Sequence, residues 1–363
     1  MEENKNNPFV SNPRNARRKF LKNASLGLMA MTIPELPAIF DKTKLGIVVH
    51  SYGKRWHASH QSSKYPGFSD ASDLLTHCHD IGASGIQVGV NGWTEDFTQK
   101  IRDQRERLGM YLEGSIGMPK KESELADFEK QVILAKEAGI HVLRTVSLGP
   151  RRYEALHSQE EFLTFQKRAV HMLGKTERIL RKHKVKLAIE NHKDWRSNEL
   201  AQLIKGISSE WVGVTLDFGN SIALIEQPEH TLRLLAPYVF STHVKDMAVT
   251  PYSEGFQLSE VPLGEGLIDL KKIVNTCRNH DPSITFNLEM ITRNPLLIPC
   301  LTPDYWTTLE HVPASELAEM LTWVNSNKST LPNINALGPE ALLAKEETNV
   351  LKSLTYSNKN LNL

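Results

Sequence analysis

The sequence has few cysteines and almost no excess of charge of either sign. Its 363 residues include three widely spaced cysteines and no Cys-x-x-Cys pair, so neither a disulfide framework nor a zinc knuckle is indicated. Lysine and arginine total 43 against 42 acidic residues, which argues against nucleic acid or an anionic membrane as partner. Internal repeats, low-complexity tracts and glycine-rich phosphate motifs are also lacking. These absences favour a globular protein that acts on a small molecule.

The sequence also lacks an apolar run long enough to span a bilayer. Near the N-terminus, Arg17-Arg18-Lys19 precedes an apolar stretch of about ten residues over 24–33, whereas a transmembrane helix needs ~20. The paired arginines and the weak hydrophobicity resemble a twin-arginine export signal. We therefore expect 1–38 to be a signal peptide cleaved near Ala38, with export to the periplasm or another extracytoplasmic location and no stable membrane insertion after processing. An amphipathic helix of the mature protein is the alternative.

From residue 45 onward, short β-rich runs alternate with helical patterns, which is typical of parallel βα units. The predicted strands lie at 45–50, 85–90, 111–116, 141–147, 185–191, 212–217, 239–244 and 284–290. Eight such units predict an α/β fold, a (β/α)8 TIM barrel over 39–330, with its chemistry at the C-terminal ends of the strands. The tail, 331–363, contains one helical pattern. We expect it to pack on the barrel or on the neighbouring subunit of a homo-oligomer, a partly frayed terminus being the alternative.

Side chains that can bind a metal stand at the ends of the last four predicted strands. They are Glu190, Asp217, His243 and Glu289. Each one alone has an ordinary explanation, as a helix cap, a surface acid or a core histidine. On four successive strands of one barrel, however, they share a mouth, and buried carboxylates require a compensating positive charge. The set predicts a divalent cation, and three carboxylates with one imidazole suit Mn²⁺, Zn²⁺, Co²⁺ or Mg²⁺ without selecting among them.

Several motifs resemble those of the xylose-isomerase-like barrel superfamily, often called the sugar phosphate isomerase/epimerase family. The motifs are Ile-Glu-Asn-His (189–192), Leu-Asp-Phe-Gly-Asn (216–220), His-Val-Lys-Asp (243–246), Pro-Leu-Gly-Glu-Gly-Leu-Ile-Asp (262–269) and Leu-Glu-Met (288–290). The resemblance implies that the four strand-end side chains bind the catalytic metal. The apurinic-site endonucleases of this superfamily hold three zinc ions and carry a second histidine where this chain has Asn220. The resemblance therefore implies one metal ion and argues against DNA as substrate.

The resemblance also implies a class of reaction. In keto-sugar epimerases of the superfamily, the fifth-strand and eighth-strand glutamates are both metal ligands and the acid and base, roles that fall here to Glu190 and Glu289. A metal that holds a ketone and its neighbouring hydroxyl stabilises an enediolate. We therefore expect a sugar isomerase or epimerase acting on a keto-sugar or sugar derivative. The alternatives are a lyase or dehydratase acting on inosose or 3-oxo-glycosides, and a non-catalytic exported carbohydrate-binding barrel.

Further residues near the strand ends are candidates for contact with a carbohydrate. His192 is expected to take part in catalysis by donating to a leaving oxygen or to substrate hydroxyls. The predicted substrate-binding residues are Lys193, Lys245, Arg144, Asn220 and Trp56. Trp93 and Trp195 are further candidates for stacking on a sugar, and Asp246 is a candidate for orienting Lys245. Solvated loop charges and ordinary loop packing are the alternatives.

Overall fold

Eight parallel strands close into a barrel, which confirms the predicted (β/α)8 fold. The computed structural model describes residues 43–56, 58 and 60–363. The strands of these residues are β1 (Leu45–Val48), β2 (Gly85–Gly89), β3 (Tyr111–Ser115), β4 (Val142–Thr145), β5 (Lys186–Glu190), β6 (Val212–Asp217), β7 (Val239–Val244), β8 (Asp246–Tyr252), β9 (Gly255–Val261), β10 (Thr285–Leu288) and β11 (Leu296–Ile298). Strands β1 to β7 are neighbours in order, and β10 pairs with β7 and β1 to close the barrel. Each barrel strand lies inside its predicted range.

Helices connect the barrel strands, and their ends follow local capping rules. They are α1 (Gly53–Trp56), α2 (Ala71–Asp80), α3 (Glu95–Leu108), α4 (Leu125–Glu137), α5 (Arg152–Ala155), α6 (Gln159–His183), α7 (Ser197–Ile207), α8 (Pro228–Leu235), α9 (Leu270–His280), α10 (Ala314–Ser326) and α11 (Pro339–Tyr356). Thr94 accepts the Phe97 N–H at the start of α3, and Ser158 accepts the Glu161 N–H at the start of α6. Helix α3 stops at Gly109, whose φ of 63° suits a residue without a Cβ.

The strands are buried along most of their length. All six residues of β6 are buried, and Leu187 and Ile189 on β5 are buried as well. This burial on both faces is expected where helices cover the outside of a barrel and side chains fill its inside. The polar strand ends Glu190 and Asp217 are therefore held on a rigid apolar wall.

An additional antiparallel sheet lies beside the barrel, in the order β11-β9-β8. The hairpin β8–β9 lies in the long interval between β7 and β10, where the sequence patterns predicted no strand. Strand β9 carries Glu260 near its end, and the segment between β10 and β11 carries Arg293. Arg293 Nε donates to Glu260 Oε2 at 3.0 Å, so the two segments are tied together by an ion pair.

The C-terminal helix α11 packs on the barrel. The Glu346 carboxylate accepts the backbone N–H groups of Lys54 at 2.7 Å and Arg55 at 3.1 Å. Arg55 also pairs with Glu347 at 2.8 Å. The helix therefore fixes the segment that directly follows β1, and the alternative of a frayed terminus is wrong.

Two expectations concern the membrane and the N-terminus. Among the described residues, none of the helices has the length and apolar character needed to cross a membrane. The proposed signal peptide, 1–38, lies outside the described residues.

Candidate metal centre

The four proposed ligands meet at the C-terminal end of the barrel. Glu190 and Asp217 are the last residues of β5 and β6, His243 is the second-to-last residue of β7, and Glu289 directly follows β10. Asp217 and His243 are paired in the register of β6 and β7. One possible ligand atom from each residue lies within 4.8 Å of the other three, and all four side chains are buried. The fold thus assembles three carboxylates and one imidazole.

Two buried atoms of this group are short of hydrogen-bond partners among the described residues. His243 Nδ1 has none, and Asp217 Oδ2 has no hydrogen bond of normal geometry, although the Lys245 ammonium lies 3.0 Å away. His243 Nδ1 lies 3.7 Å from Asp217 Oδ2, 3.6 Å from Glu190 Oε2 and 3.4 Å from Glu289 Oε2, so the donor atoms surround one space. Buried polar atoms without partners are rare in proteins, and carboxylate oxygen and imidazole nitrogen are common ligands of divalent cations. The residues present therefore fit a divalent metal ion.

The other atoms of Asp217 and His243 are held by neighbouring groups. Asp217 Oδ1 accepts the backbone N–H groups of Gly219 at 2.9 Å and Asn220 at 2.8 Å. His243 Nε2 lies 2.7 Å from Gln87 Oε1, and because an amide oxygen only accepts, Nε2 is the donor. A neutral His243 therefore has its lone pair on Nδ1, the nitrogen that faces the carboxylates.

A buried polar network lies beneath His243. Gln87 Nε2 donates to Glu113 Oε2 at 2.9 Å, and this oxygen also accepts from Ser241 Oγ at 2.6 Å and Asn287 Nδ2 at 3.0 Å. Burial raises the pKa of Glu113 despite these hydrogen bonds. Gln87 and Glu113 were not predicted from the sequence, although each is a polar residue inside an otherwise apolar, buried strand.

Arg144 and Asn220 fix the carboxylate of Glu190. Arg144 donates to Glu190 Oε2 from Nε at 2.6 Å and also from Nη2, while Asn220 Nδ2 donates to Oε1 at 2.7 Å. Burial alone would raise the pKa of Glu190, but the positive charge of Arg144, followed by the interaction with His243, holds it well below its usual range. Arg144 and Asn220, both predicted to bind substrate, thus orient the carboxylate of a candidate metal ligand in this structure.

Glu289 contacts two cationic or titratable side chains. Its Oε2 lies 2.6 Å from Lys245 Nζ, and its Oε1 lies 2.7 Å from His50 Nδ1. Burial would raise the pKa of Glu289, but Lys245 and His243 lower it well below its usual range. His50 follows β1 and its side chain is 47% exposed, so it connects Glu289 to solvent. His50 was not predicted as a site residue, although it is a polar residue directly after the apolar run of β1.

The two lysines predicted to bind substrate are both buried and share one acceptor. Lys193 donates to Asn220 Oδ1, and Lys245 Nζ lies 3.4 Å from the same oxygen. Lys245 is also 3.0 Å from Asp217 Oδ2. Burial lowers the pKa of Lys245, but the carboxylates of Asp217 and Glu289 more than reverse this and raise it. For Lys193, burial and the charge of Lys245 lower the pKa to about 8.

The expectation that Asp246 orients Lys245 is wrong. Its carboxylate instead accepts backbone N–H groups of the following segment, those of Gly264 at 2.9 Å, Gly266 at 3.0 Å and Ile268 at 3.1 Å. Gly264 has a φ of 85°, a conformation that glycine adopts without strain. Asp246 therefore shapes the loop of the Pro-Leu-Gly-Glu-Gly motif.

The remaining candidates have different surroundings. His192 is half-buried, its Nδ1 has no partner among the described residues, and burial together with Lys193 lowers its pKa to about 4, so its imidazole is neutral at pH 7. Trp195 is buried, with its ring centroid 4.9 Å from that of Phe165, so its predicted stacking on a sugar is wrong. Trp93 packs on Phe97, with centroids 5.3 Å apart.

A cavity of about 500 Å³ opens beside the ligand group. Its lining includes His50, Trp56, Asn91, Ser115 and Ile291. His50, on the cavity wall, contacts Glu289 directly. Ser115, also on the wall, accepts from Arg144 Nη1 at 3.2 Å through its Oγ, and Arg144 in turn holds Glu190. Trp56 is thus placed where a ring can contact a small ligand.

Comparisons with known proteins agree with this architecture. Residues 75–322 match the family described as xylose isomerase-like TIM barrel. A 3-oxo-isoapionate decarboxylase from Pectobacterium atrosepticum is 24% identical over 247 residues, 66% of this chain and 83% of the relative. A structure of D-psicose 3-epimerase in the presence of D-fructose superposes with a TM-score of 0.52 at 17% identity, covering 78% of this chain and 97% of that one. The structure of a probable 3-DHS dehydratase, AsbF, from Bacillus anthracis superposes with a TM-score of 0.50 at 15% identity, covering 85% of this chain and 99% of that one. This chain belongs to the xylose isomerase-like TIM barrel family.

Proposed function

We propose that this protein is a divalent-metal-dependent sugar isomerase or epimerase that acts on a keto-sugar or sugar derivative through an enediolate. The observation that carries the proposal is the buried His243 Nδ1, which has no hydrogen-bond partner among the described residues and faces the three carboxylates of the ligand group. One divalent cation bound by these four side chains would polarise a substrate carbonyl and stabilise the negative charge of the enediolate. Sugar epimerases among the structural neighbours support a carbohydrate substrate.

Glu289 is the side chain best placed to remove a carbon-bound proton. It contacts His50, which lines the cavity, so its carboxylate lies at the boundary between the ligand group and the space for substrate. When Glu289 takes the proton, the electron pair of the broken C–H bond remains in the enediolate. Return of a proton to the opposite face inverts that carbon, whereas its return to the neighbouring carbon moves the carbonyl.

Glu190 lies across the ligand group from Glu289, with β6 and β7 between their strands. Arg144 keeps it ionised and fixes its orientation, which suits a ligand. In an epimerisation, Glu190 is the carboxylate that faces the substrate from the side opposite to Glu289. The neutral imidazole of His192 and the ammonium of Lys193 are available to bind or protonate substrate oxygens.

A lyase is the second candidate, and the relationship to 3-oxo-isoapionate decarboxylase supports it. Loss of CO₂ from a 3-oxo acid leaves the electron pair of the broken C–C bond in an enolate, which the same site would stabilise before protonation. Loss of a substituent β to a ketone begins with the same proton removal by Glu289. Both reactions therefore use the residues already described.

Incubation in D₂O distinguishes these reactions. The protein loaded with Mn²⁺, Co²⁺ or Zn²⁺ is mixed with D-fructose, D-psicose, a 3-oxo-glucoside or a 3-oxo acid, and products are followed by NMR; Asp217→Ala is the control. Deuterium next to the carbonyl in an intact carbon skeleton supports the isomerase or epimerase. Release of an aglycone or of CO₂ supports the lyase. An absence of turnover and exchange with every substrate contradicts both and favours a carbohydrate-binding barrel.

We also propose that residues 1–38 direct export by the twin-arginine route. The proposal is supported by the Arg17-Arg18 pair and the short, weakly apolar stretch that follows. Changing both arginines to lysine keeps the charge and should leave the protein in the cytoplasm, as measured by cell fractionation; Lys22→Arg is the control. Normal export of the double variant would contradict this route.

A further inference from the structure

Lys193 is a buried cation without a carboxylate partner. Its side chain is buried, and its ammonium group has no carboxylate within 4.0 Å among the described residues. The Asn220 amide oxygen is its side-chain acceptor, and Lys245 lies 3.4 Å from that oxygen. An ammonium group has three donors, and burial of a charge without a counter-charge is unfavourable. The pKa of about 8 reflects this environment.

The three neighbouring cations are already paired with carboxylates. Arg144 pairs with Glu190, and Lys245 lies near Asp217 and Glu289. Arg293 pairs with Glu260 through Nε and Nη2. Four cations and four carboxylates are thus connected in one group, which we call the charged cluster. It consists of Arg144, Lys193, Lys245, Arg293, Glu190, Asp217, Glu260 and Glu289.

A metal ion in the ligand group changes the charge balance of this cluster. The formal charges of its side chains cancel when the histidines are neutral, so a divalent cation leaves two positive charges in excess. Lys245 also shares Asp217 Oδ2 and Glu289 Oε2 with the ligand group. The remaining carboxylate near Lys245 is Glu260, at 3.9 Å, and Arg293 already occupies both of its oxygens.

We infer that the substrate is an acid, an oxo-sugar whose carboxylate is bound by Lys193 and Lys245. This inference rests on the proposed function, because it concerns the substrate of the same site. A carboxylate beside the two lysines supplies the counter-charge that Lys193 lacks and offsets the excess produced by the cation. Asp194 and Asp246 do not supply it, since their oxygens accept backbone N–H groups of Leu148, Trp195 and the 264–268 loop.

A comparison of three sugars that differ at one carbon tests the inference. D-Fructose, D-fructuronate and D-fructose 6-phosphate carry a hydroxymethyl group, a carboxylate and a phosphate ester at C6. Their dissociation constants are measured by titration calorimetry on Mn²⁺-loaded protein and on the Lys193→Met and Lys193→Arg variants. Lys186→Met, at the other end of β5, is the matched control. Metal content is measured for every variant, and Lys193→Gln replaces Lys193→Met if circular dichroism shows that the latter is unfolded.

The wild-type protein should bind D-fructuronate at least ~10-fold more tightly than D-fructose, as expected for one charged hydrogen bond. Lys193→Met should abolish this preference at unchanged metal content, and Lys193→Arg and Lys186→Met should retain it. Equal binding of fructose and fructuronate, or a preference that survives in Lys193→Met, would overturn the inference. Tighter, Lys193-dependent binding of the phosphate ester would overturn the assignment to a carboxylate. Because binding is read without turnover, failure of this inference is distinguishable from failure of the deuterium-exchange test.

Discussion

The guanidinium of Arg144 donates to a single carboxylate oxygen of Glu190, from Nε at 2.6 Å and from Nη2. Glu289 has no arginine partner among the described residues and instead contacts Lys245 and His50. The two glutamates, which occupy equivalent positions at strand ends, are therefore not equivalent in their surroundings. Glu190 is fixed as an ionised carboxylate, whereas Glu289 contacts His50, which lines the cavity.

This asymmetry predicts the effect of replacing Glu289. Glu289→Gln keeps an oxygen that can bind a metal but cannot accept a proton, so turnover should fall by roughly 10²–10⁴-fold while part of the metal remains bound. His192→Ala should leave metal content near one per chain and impair substrate binding or protonation. The exposed Glu265→Gln is the control. A fully active Glu289→Gln, or loss of the metal in His192→Ala, would contradict these assignments.

Gln87 is expected to control metal affinity through His243. Its amide oxygen holds the Nε2 proton of His243 and thereby leaves Nδ1 for the metal. Gln87→Leu removes this acceptor and should weaken metal binding by about 10–100-fold, a range typical of residues that orient metal-bound histidines. Competition with a chelator measures the affinity, and the exposed Gln99→Leu is the control. Unchanged affinity in Gln87→Leu would show that the imidazole is held by other contacts.

The C-terminal helix should make stability depend on pH through Glu346. Burial raises the pKa of this carboxyl from 4.5 to about 7, although the Lys54 and Arg55 amides oppose the shift. At pH values between 4.5 and about 7, the Glu346 carboxyl is protonated in the folded protein and ionised in the unfolded chain. The stability that this difference in protonation contributes is therefore fully present below about pH 4.5 and is lost as pH rises through about 7. Relative to wild type, Glu346→Gln should therefore gain stability from pH 5 to pH 8.

Chemical denaturation at several pH values measures the difference in free energy of unfolding between Glu346→Gln and the wild-type protein. Glu340→Gln, which changes an exposed residue on the same helix, is the control and should show no such trend. A pH-independent difference for Glu346→Gln would mean that the carboxyl titrates alike in the folded and unfolded chain.

The sequence predicted the barrel and its polar strand ends because both depend on local pattern. Apolar β-rich runs ending in Glu190 or Asp217 are visible without knowledge of packing. Glu260 and Arg293 could not be placed, since Glu260 reaches the cluster on a hairpin that interrupts the βα alternation and Arg293 lies in the irregular segment after β10. The prediction for Trp195 was wrong because its ring packs on Phe165. Sequence patterns do not show a contact between residues that are so far apart in the chain.

Elemental analysis of the purified protein tests the central claim most directly. After loading with a divalent metal and dialysis, the wild-type protein should retain one equivalent per chain, because four ligands surround a single space. Asp217→Ala and His243→Ala should lose the metal and also lose stability, since the remaining carboxylates would repel one another. Two or three equivalents in the wild-type protein, none after loading, or an undiminished content in both variants would contradict a single metal held by Glu190, Asp217, His243 and Glu289.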